Sequence, residues 1–395
     1  MTSDVIIAGG GPAGLSAAET IARRGCSVTV LEQGHEIGSP IRTSGGSFIS
    51  ELRPLGIPDA LWHPIARVRF VSPNNSATFE YADPVMCVID VRGVFQHLAE
   101  RAIVAGATIR LSSQAVAPVI DDSGRVYGLQ LRESSLDSGL DSALNCRVLI
   151  DATGYRSTLM KQAGIAPGFR RFGVGAEYDM FAPHCDQREA VLVVGDDAAP
   201  SGYAWVFPWG RNRVRVGVGI IHPDSSAKPD DYLDRFVASL HKYGVDARGA
   251  QPIEHHAGLI PSERFAARFV GDGIMGVGDA VGQASSLLGE GIRWAIEAGR
   301  MAGDVAASAI EAGDVSRSAL LPFEKRWRMK YGMDLRLAHR INQRIAGWDS
   351  AKWDSRVELL KKLSPAEFTE ALKTNLTGKW IWRFARGNLR KLSGV

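Results

Sequence analysis

The chain has 395 residues, 45% hydrophobic and 23% charged, with a net charge of +3. That length suits two domains with room for an added helical segment, and the near-neutral balance gives no support to nucleic-acid binding. Its four cysteines, Cys26, Cys87, Cys146 and Cys185, form no CxxC pair, so neither zinc nor an iron–sulfur cluster is indicated, and no run of about 18 apolar residues offers a membrane-spanning helix.

The start of the chain has no signal-peptide pattern and predicts a cytoplasmic protein. Residues 4–34, DVIIAGGGPAGLSAAETIARRGCSVTVLEQG, are the most informative stretch. Val5 to Ala8 form an apolar strand of the kind buried in a parallel sheet. It runs into Gly9-x-Gly11-x-x-Gly14, then a helical pattern from Leu15 to Arg24, then a second strand ending at Glu32. Gly9 permits the tight turn, Gly11 a close approach of backbone to a pyrophosphate, and Gly14 close helix–strand packing. The helix N-terminus aims N–H groups at phosphates, and Glu32 accepts from a ribose hydroxyl. A second match, Gly271-x-Gly273-x-x-Gly276, leads into no helix and is set aside.

Further along, residues 88–109 predict a strand, Arg92 and an amphipathic helix ending at Gly106. Residues 148–158 predict a strand entering an Ala-Thr-Gly turn at Gly154. In SGYAWVFPWG (201–210), Tyr203, Trp205 and Phe207 share one strand face before a Pro-Gly stop. They either fill core or line a pocket for a long apolar ligand. In 211–221, Val214, Val216 and Val218 alternate with arginines, the pattern of an antiparallel strand with one buried face. His255 and His256, before an expected turn at Gly258, titrate near neutral pH; a solvated or capping pair is the expected role. Residues 273–306 predict a strand ending at Gly278-Asp279, a glycine-flanked loop, and a long helix from Ile292. The end of the chain is basic. Residues 378–392, GKWIWRFARGNLRKL, mix aromatics with cations, which suits either an interfacial helix on anionic lipid or a packed helix with a solvated face.

Together, residues 4–34, 88–109, 148–158 and 273–306 resemble the FAD-binding set of the flavoproteins related to aromatic hydroxylases. SGYAWVFPWG resembles the YxWxFP motif of geranylgeranyl reductases, and residues 323–336 resemble the start of that family's C-terminal helical region. The resemblance covers nearly the whole chain. It implies an α/β protein with a discontinuous Rossmann-like FAD-binding domain (1–65, 88–165 and 270–320), an antiparallel-sheet substrate domain (66–87 and 166–269) and a C-terminal helical region (321–395). Carried over residue by residue, it assigns FAD binding to Gly9, Gly11, Ala13, Gly14, Glu32, Gln33, Ser44, Gly45, Arg92, Val116, Gly154, Asp279, Gly289, Gly291 and Ile292. Asp279 takes flavin or ribose hydroxyls, and the helix from Ile292 points at the flavin O2. Tyr203, Trp205 and Phe207 would line a lipid tunnel.

The implied activity is saturation of C=C bonds in an isoprenoid chain by hydride from reduced flavin, with NADPH or a ferredoxin-type donor as reductant. A flavin monooxygenase would use the same scaffold and is the alternative. Several family members carry Cys-Gly where this chain has Ser44-Gly45. A serine hydroxyl is a poor acid, so the proton donor stays open among Ser44, Tyr203, water and a residue not yet identified, with Trp205 beside the reacting bond.

Overall fold

The computed structural model describes residues 3–133 and 142–377. Its first sheet has eight strands. The central strand, Ser3–Ala8, is fully apolar from Val5 onward, and it pairs in parallel with Ser142–Asp151 on one side and Val28–Leu31 on the other. Thr108–Arg110 and Ile274–Gly276 extend the parallel array outward. Strands buried on both faces need helices above and below, and two of those helices fix the site.

The helix Pro12–Arg23 follows the first strand, and Ile292–Glu311 lies against it. Their contact is close because Gly299 and Gly303 face the first helix; a Cβ at Gly299 would lie 2.2 Å from the Ala13 carbonyl oxygen. The second GxGxxG match falls on a short hairpin, Val270–Gly271 with Ile274–Gly276.

The second sheet has seven strands, in the order Gln251–Pro261, Phe172–Phe181, Arg213–His222, Ala199–Gly210, Glu189–Gly195, Arg67–Val71 and Ser76–Glu80. All neighbours are antiparallel except Glu189–Gly195 with Arg67–Val71, which run parallel. One face packs Val214, Val216, Val218, Ala204 and Val206 under the helix Pro229–Ala238. A small antiparallel sheet joins Gly46–Phe48, Met86–Ile89 and Trp62–Ile65.

As the Pro-Gly pattern predicts, the aromatic strand ends at Gly210, and the turn after it is made by Arg211 and Asn212, both at positive φ. Two other sequence expectations change. The strand with one buried face is buried on both, because Arg215 on the opposite face is fully enclosed. His255 and His256 precede no turn: both lie inside the strand Gln251–Pro261, on opposite faces.

After Glu311 the chain is helical: Arg317–Ile345, Ser350–Leu360 and Pro365–Leu372. The last is opened by a reciprocal capping box between Ser364 and Glu367. It returns across the second sheet, where Phe368 stacks on Phe79 at 3.8 Å between ring centroids. The basic-aromatic segment 378–392 lies outside the described residues.

Candidate active site

One cavity of about 1000 Å³ runs between the two sheets. At one end it is walled by backbone. Gly9, Gly11 and Ala13 line it, and a Cβ built on Gly11 would meet nothing within 4 Å, so the backbone there faces open space. Gly9 (φ +113°) and Gly14 serve packing: a Cβ on Gly14 would sit 2.1 Å from the Gly9 carbonyl oxygen. Glu32 holds the turn by accepting from the N–H groups of Gly10 (2.8 Å) and Gly34 (2.7 Å). It still borders the cavity together with Gln33.

Val116 also lines this end. It is the extra residue at an irregularity in its strand, between Ala115 opposite Leu131 and Ala117 opposite Gln130, so it stands outside the regular ladder. Gly154, at φ +67°, lines the same cavity.

The middle of the cavity is bounded by Asp279 and the loop that opens the helix Ile292–Glu311. Gly289, Gly291 and Ile292 all line it. Among the described residues no hydrogen bond reaches the Asp279 carboxylate, and burial pushes its pKa up to about 6. An enclosed acid aimed at a cavity without partners suits a ligand rich in hydroxyls. The helix behind it presents its positive end to the same space. The residues present therefore fit FAD: a backbone cradle open at Gly11, an acid for hydroxyls, and a helix terminus for the electron-rich edge of the ring.

Opposite, Thr43 and Ser44 line the cavity, and the Ser44 carbonyl accepts from Arg215 Nη1 at 2.8 Å. The buried arginine thus ties the loop 38–46 to the second sheet. Three expected cofactor residues, Gly14, Gly45 and Arg92, do not border the cavity. Gly14 and Gly45 act through packing, and Arg92 is paired with Glu36 at the surface.

The remaining end is apolar. The rings of Tyr203, Trp205 and Phe207 follow one another at 5.7 and 6.2 Å, as the shared face requires. Tyr203 and Trp205 reach the cavity; Phe207 does not, and packs behind them against Phe48 and Val88. The Tyr203 hydroxyl donates to the Leu288 carbonyl, and burial raises its pKa further, so it is a weaker acid than a free phenol. Beyond Tyr203 the wall is Phe70, Leu192 and Val194 from the sheet, with Trp353, Phe368 and Leu372 from the C-terminal helices.

Sequence reasoning missed four contributors: Glu177, His256, Arg215 and the C-terminal helices. The signals were present. Gly217 and Gly219 sit mid-strand, where glycine marks a close approach. A Cβ on Gly217 would lie 2.3 Å from the Trp205 indole, so that ring lies flat across the strand. The charges at Glu177, Asp179 and Arg215 repeat at period two, on the same face as the aromatics.

The decisive comparison is with whole proteins. The chain is 33% identical to a digeranylgeranylglycerophospholipid reductase of Methanoculleus marisnigri over 93% of this chain and 92% of the relative. It is equally close to digeranylgeranylglycerophospholipid reductase 2 of Methanothermobacter thermautotrophicus, with 95% of each covered. The chain belongs to the geranylgeranyl reductase family.

Family profiles agree: residues 172–260 match the geranylgeranyl reductase catalytic domain and residues 4–176 the FAD dependent oxidoreductase family. This geranylgeranyl reductase-family protein is accordingly an FAD-dependent oxidoreductase. Its fold matches that of a geranylgeranyl bacteriochlorophyll reductase-like protein from Thermoplasma acidophilum, with a TM-score of 0.85 at 23% identity over 98% of this chain and 99% of that one. The myxobacterial chondrochloren halogenase shares the fold more distantly, with a TM-score of 0.70 at 18% identity over 99% of this chain and 91% of the halogenase. These likenesses describe architecture and carry no chemistry.

Proposed function

We propose that this enzyme saturates the C=C bonds of geranylgeranyl chains carried on a glycerophospholipid. One observation carries the reading: one cavity joins a polar end walled by the backbone at Gly9, Gly11 and Ala13 to an apolar end that Tyr203 and Trp205 line. An isoprenoid gains roughly 0.8 kcal/mol per buried CH₂, so an apolar tunnel binds it by area alone. The names of the relatives point to the same substrate class.

The assignment of residues follows the geometry. The N–H groups at Gly11 and Ala13 take the pyrophosphate, and Glu32 with Gln33 takes the adenosine ribose. Val116 would border the adenine, and Gly154 lines the same cavity. Asp279 accepts from hydroxyls of the ribityl chain, while Gly289, Gly291 and Ile292 present backbone N–H groups to the ring. Ser44 and Gly45, held by Arg215, set the height of the loop over the ring. When bound and reduced, FAD supplies hydride. The chain's own part is to exclude water from the apolar end and to hold the double bond against the ring with Tyr203 and Trp205.

The flavin-binding part comprises the segments 1–65, 88–165 and 270–320, and the second sheet carries the lipid wall. The C-terminal helices close the tunnel rather than standing apart from it. The electron donor is NADPH or a ferredoxin-type protein. No described helix is long and apolar enough to cross a membrane.

The test is anaerobic. The enzyme is reduced with dithionite and mixed with digeranylgeranyl phospholipid while the flavin absorbance is followed. Reoxidation by the unsaturated lipid, and none by its saturated counterpart, is the expected result. A flavin that stays reduced with both would refute the substrate assignment.

A further inference from the structure

One row of residues crosses four strands of the second sheet at a single level. His256 pairs with Glu177, Glu177 with Gly217, and Gly217 with Trp205. Directly paired residues point to the same face, and here that face is the cavity, which His256, Glu177 and Trp205 all line. Glu177 is 3% and His256 5% exposed.

The side chains are linked. Trp205 Nε1 donates to Glu177 Oε2 at 3.0 Å, His256 Nδ1 stands 3.0 Å from Glu177 Oε1, and His256 Nε2 stands 3.1 Å from Glu254 Oε2. The Glu254 side chain is 50% exposed. A continuous path therefore leads from solvent through Glu254 and His256 to a carboxyl group at the cavity wall. A buried carboxylate and a buried imidazole are costly to maintain unless each is hydrogen-bonded, and each is. Such a path needs a use. Neither Ser44, a weak acid, nor Tyr203, bound to a carbonyl, supplies one.

We propose that Glu177, recharged by His256, is the acid that protonates the substrate double bond. This rests on the reading of the protein as a C=C reductase. Hydride from reduced FAD forms one C–H bond and brings both electrons. The Nδ1 proton of the His256 imidazolium passes to the Glu177 carboxylate, and the carboxyl group so formed gives a proton to the second carbon, its O–H bond breaking as the new C–H bond forms; His256 then regains a proton from solvent through Glu254. Glu177 is the catalytic residue; His256 and Trp205 are positioning residues.

The charges around His256 keep it supplied. Burial opposes its charged form, but the hydrogen bonds to Glu177 and Glu254 outweigh burial, and its pKa is raised. Arg215 acts against this, although it is itself paired with Asp179 at 3.5 Å, and Arg213 neutralises part of Glu254. His255 points to the other face, toward Asp230. A raised pKa keeps the imidazolium populated above the ordinary histidine range, so turnover falls as pH rises through that raised value.

The experiment uses full-length, FAD-loaded wild type, Glu177→Gln and His256→Gln. Two readouts are taken: anaerobic single-turnover reoxidation by digeranylgeranyl phospholipid from pH 6 to 9, and NMR titration of ¹⁵N-histidine-labelled protein without lipid. We expect E177Q to slow reoxidation by about 100-fold or more with FAD content and apparent lipid affinity retained. H256Q should remove the high-pH limb of the profile. In the NMR titration, the His256 midpoint should lie above the ordinary value in wild type and fall in E177Q. Reoxidation by E177Q within threefold of wild type, with an unchanged pH profile, would overturn the proposal. If wild type itself ignores the lipid, the substrate reading fails separately. The NMR arm then decides alone: a His256 midpoint unmoved by E177Q overturns the relay.

Discussion

At the scale of single residues, the site holds ionisable groups deep in the protein, where few water molecules reach them. Asp279 shows the consequence most simply. Burial alone raises its pKa to about 6, above the unfolded value near 3.9. In the cofactor-free protein this acid favours folding below its unfolded pKa, and that contribution is lost as pH rises through about 6. If Asp279 holds hydroxyl groups of FAD as proposed, these donate more strongly to the carboxylate than to the neutral acid, so FAD affinity is expected to fall as pH drops below about 6. Flavin-fluorescence titration from pH 5 to 8 checks this, and Asp279→Asn should bind more weakly with a flatter profile. Tyr203→Phe makes the opposite kind of case. Its hydroxyl is spent on the Leu288 carbonyl, so activity should stay within about threefold of wild type, consistent with a proton that comes from elsewhere.

Much of this scale was legible in the sequence. Gly9, Gly11, Gly14 and Glu32 announce themselves because local geometry alone dictates them, and Asp279 because it follows a strand and precedes a glycine-flanked helix. Glu177 and His256 did not, because they lie 79 positions apart. Strand pairing brings them together, and pairing is a property of register that no local spacing encodes. The histidine pair was read as one unit, yet adjacent residues in a strand face opposite ways, and only His256 turns inward.

At the scale of elements, the second sheet carries a gradient across its cavity face. Polar His256 and Glu177 stand at one side, Gly217 in the gap, Trp205 over it, then Leu192 and Phe70. The glycine is what lets the indole lie flat. Gly217→Val should therefore displace Trp205 from Glu177 and lower lipid-dependent reoxidation by about tenfold or more while leaving bound FAD near stoichiometric; flavin content and single-turnover rates on one preparation check both halves. The pattern VRVGVGII carried this information in part. A valine stripe says which face is core, but what the glycines make room for depends on a neighbouring strand. The C-terminal helices were equally hard to place, since an amphipathic helix shows that it packs and not upon what. Phe368→Ala would remove the stacked partner of Phe79 and open the tunnel wall. A loss of about 3–5 kcal/mol in unfolding free energy is expected, read from denaturant midpoints.

At the scale of the whole molecule, two sheets with different logic meet over one cavity. The parallel sheet delivers helix N-termini to its polar end, because the strands stop there and the helices begin there. The largely antiparallel sheet delivers side chains, because alternate residues of every strand face inward. On the proposed assignment the cofactor would meet mostly backbone and the substrate mostly side chains. The two ends of the cavity act together to add hydrogen across an isoprenoid double bond. The most direct measurement is the mass of the lipid product after incubation with reductant under argon. A gain of two hydrogen atoms per double bond and no oxygen is expected. A product carrying an added oxygen atom, formed only once air is admitted, would contradict it.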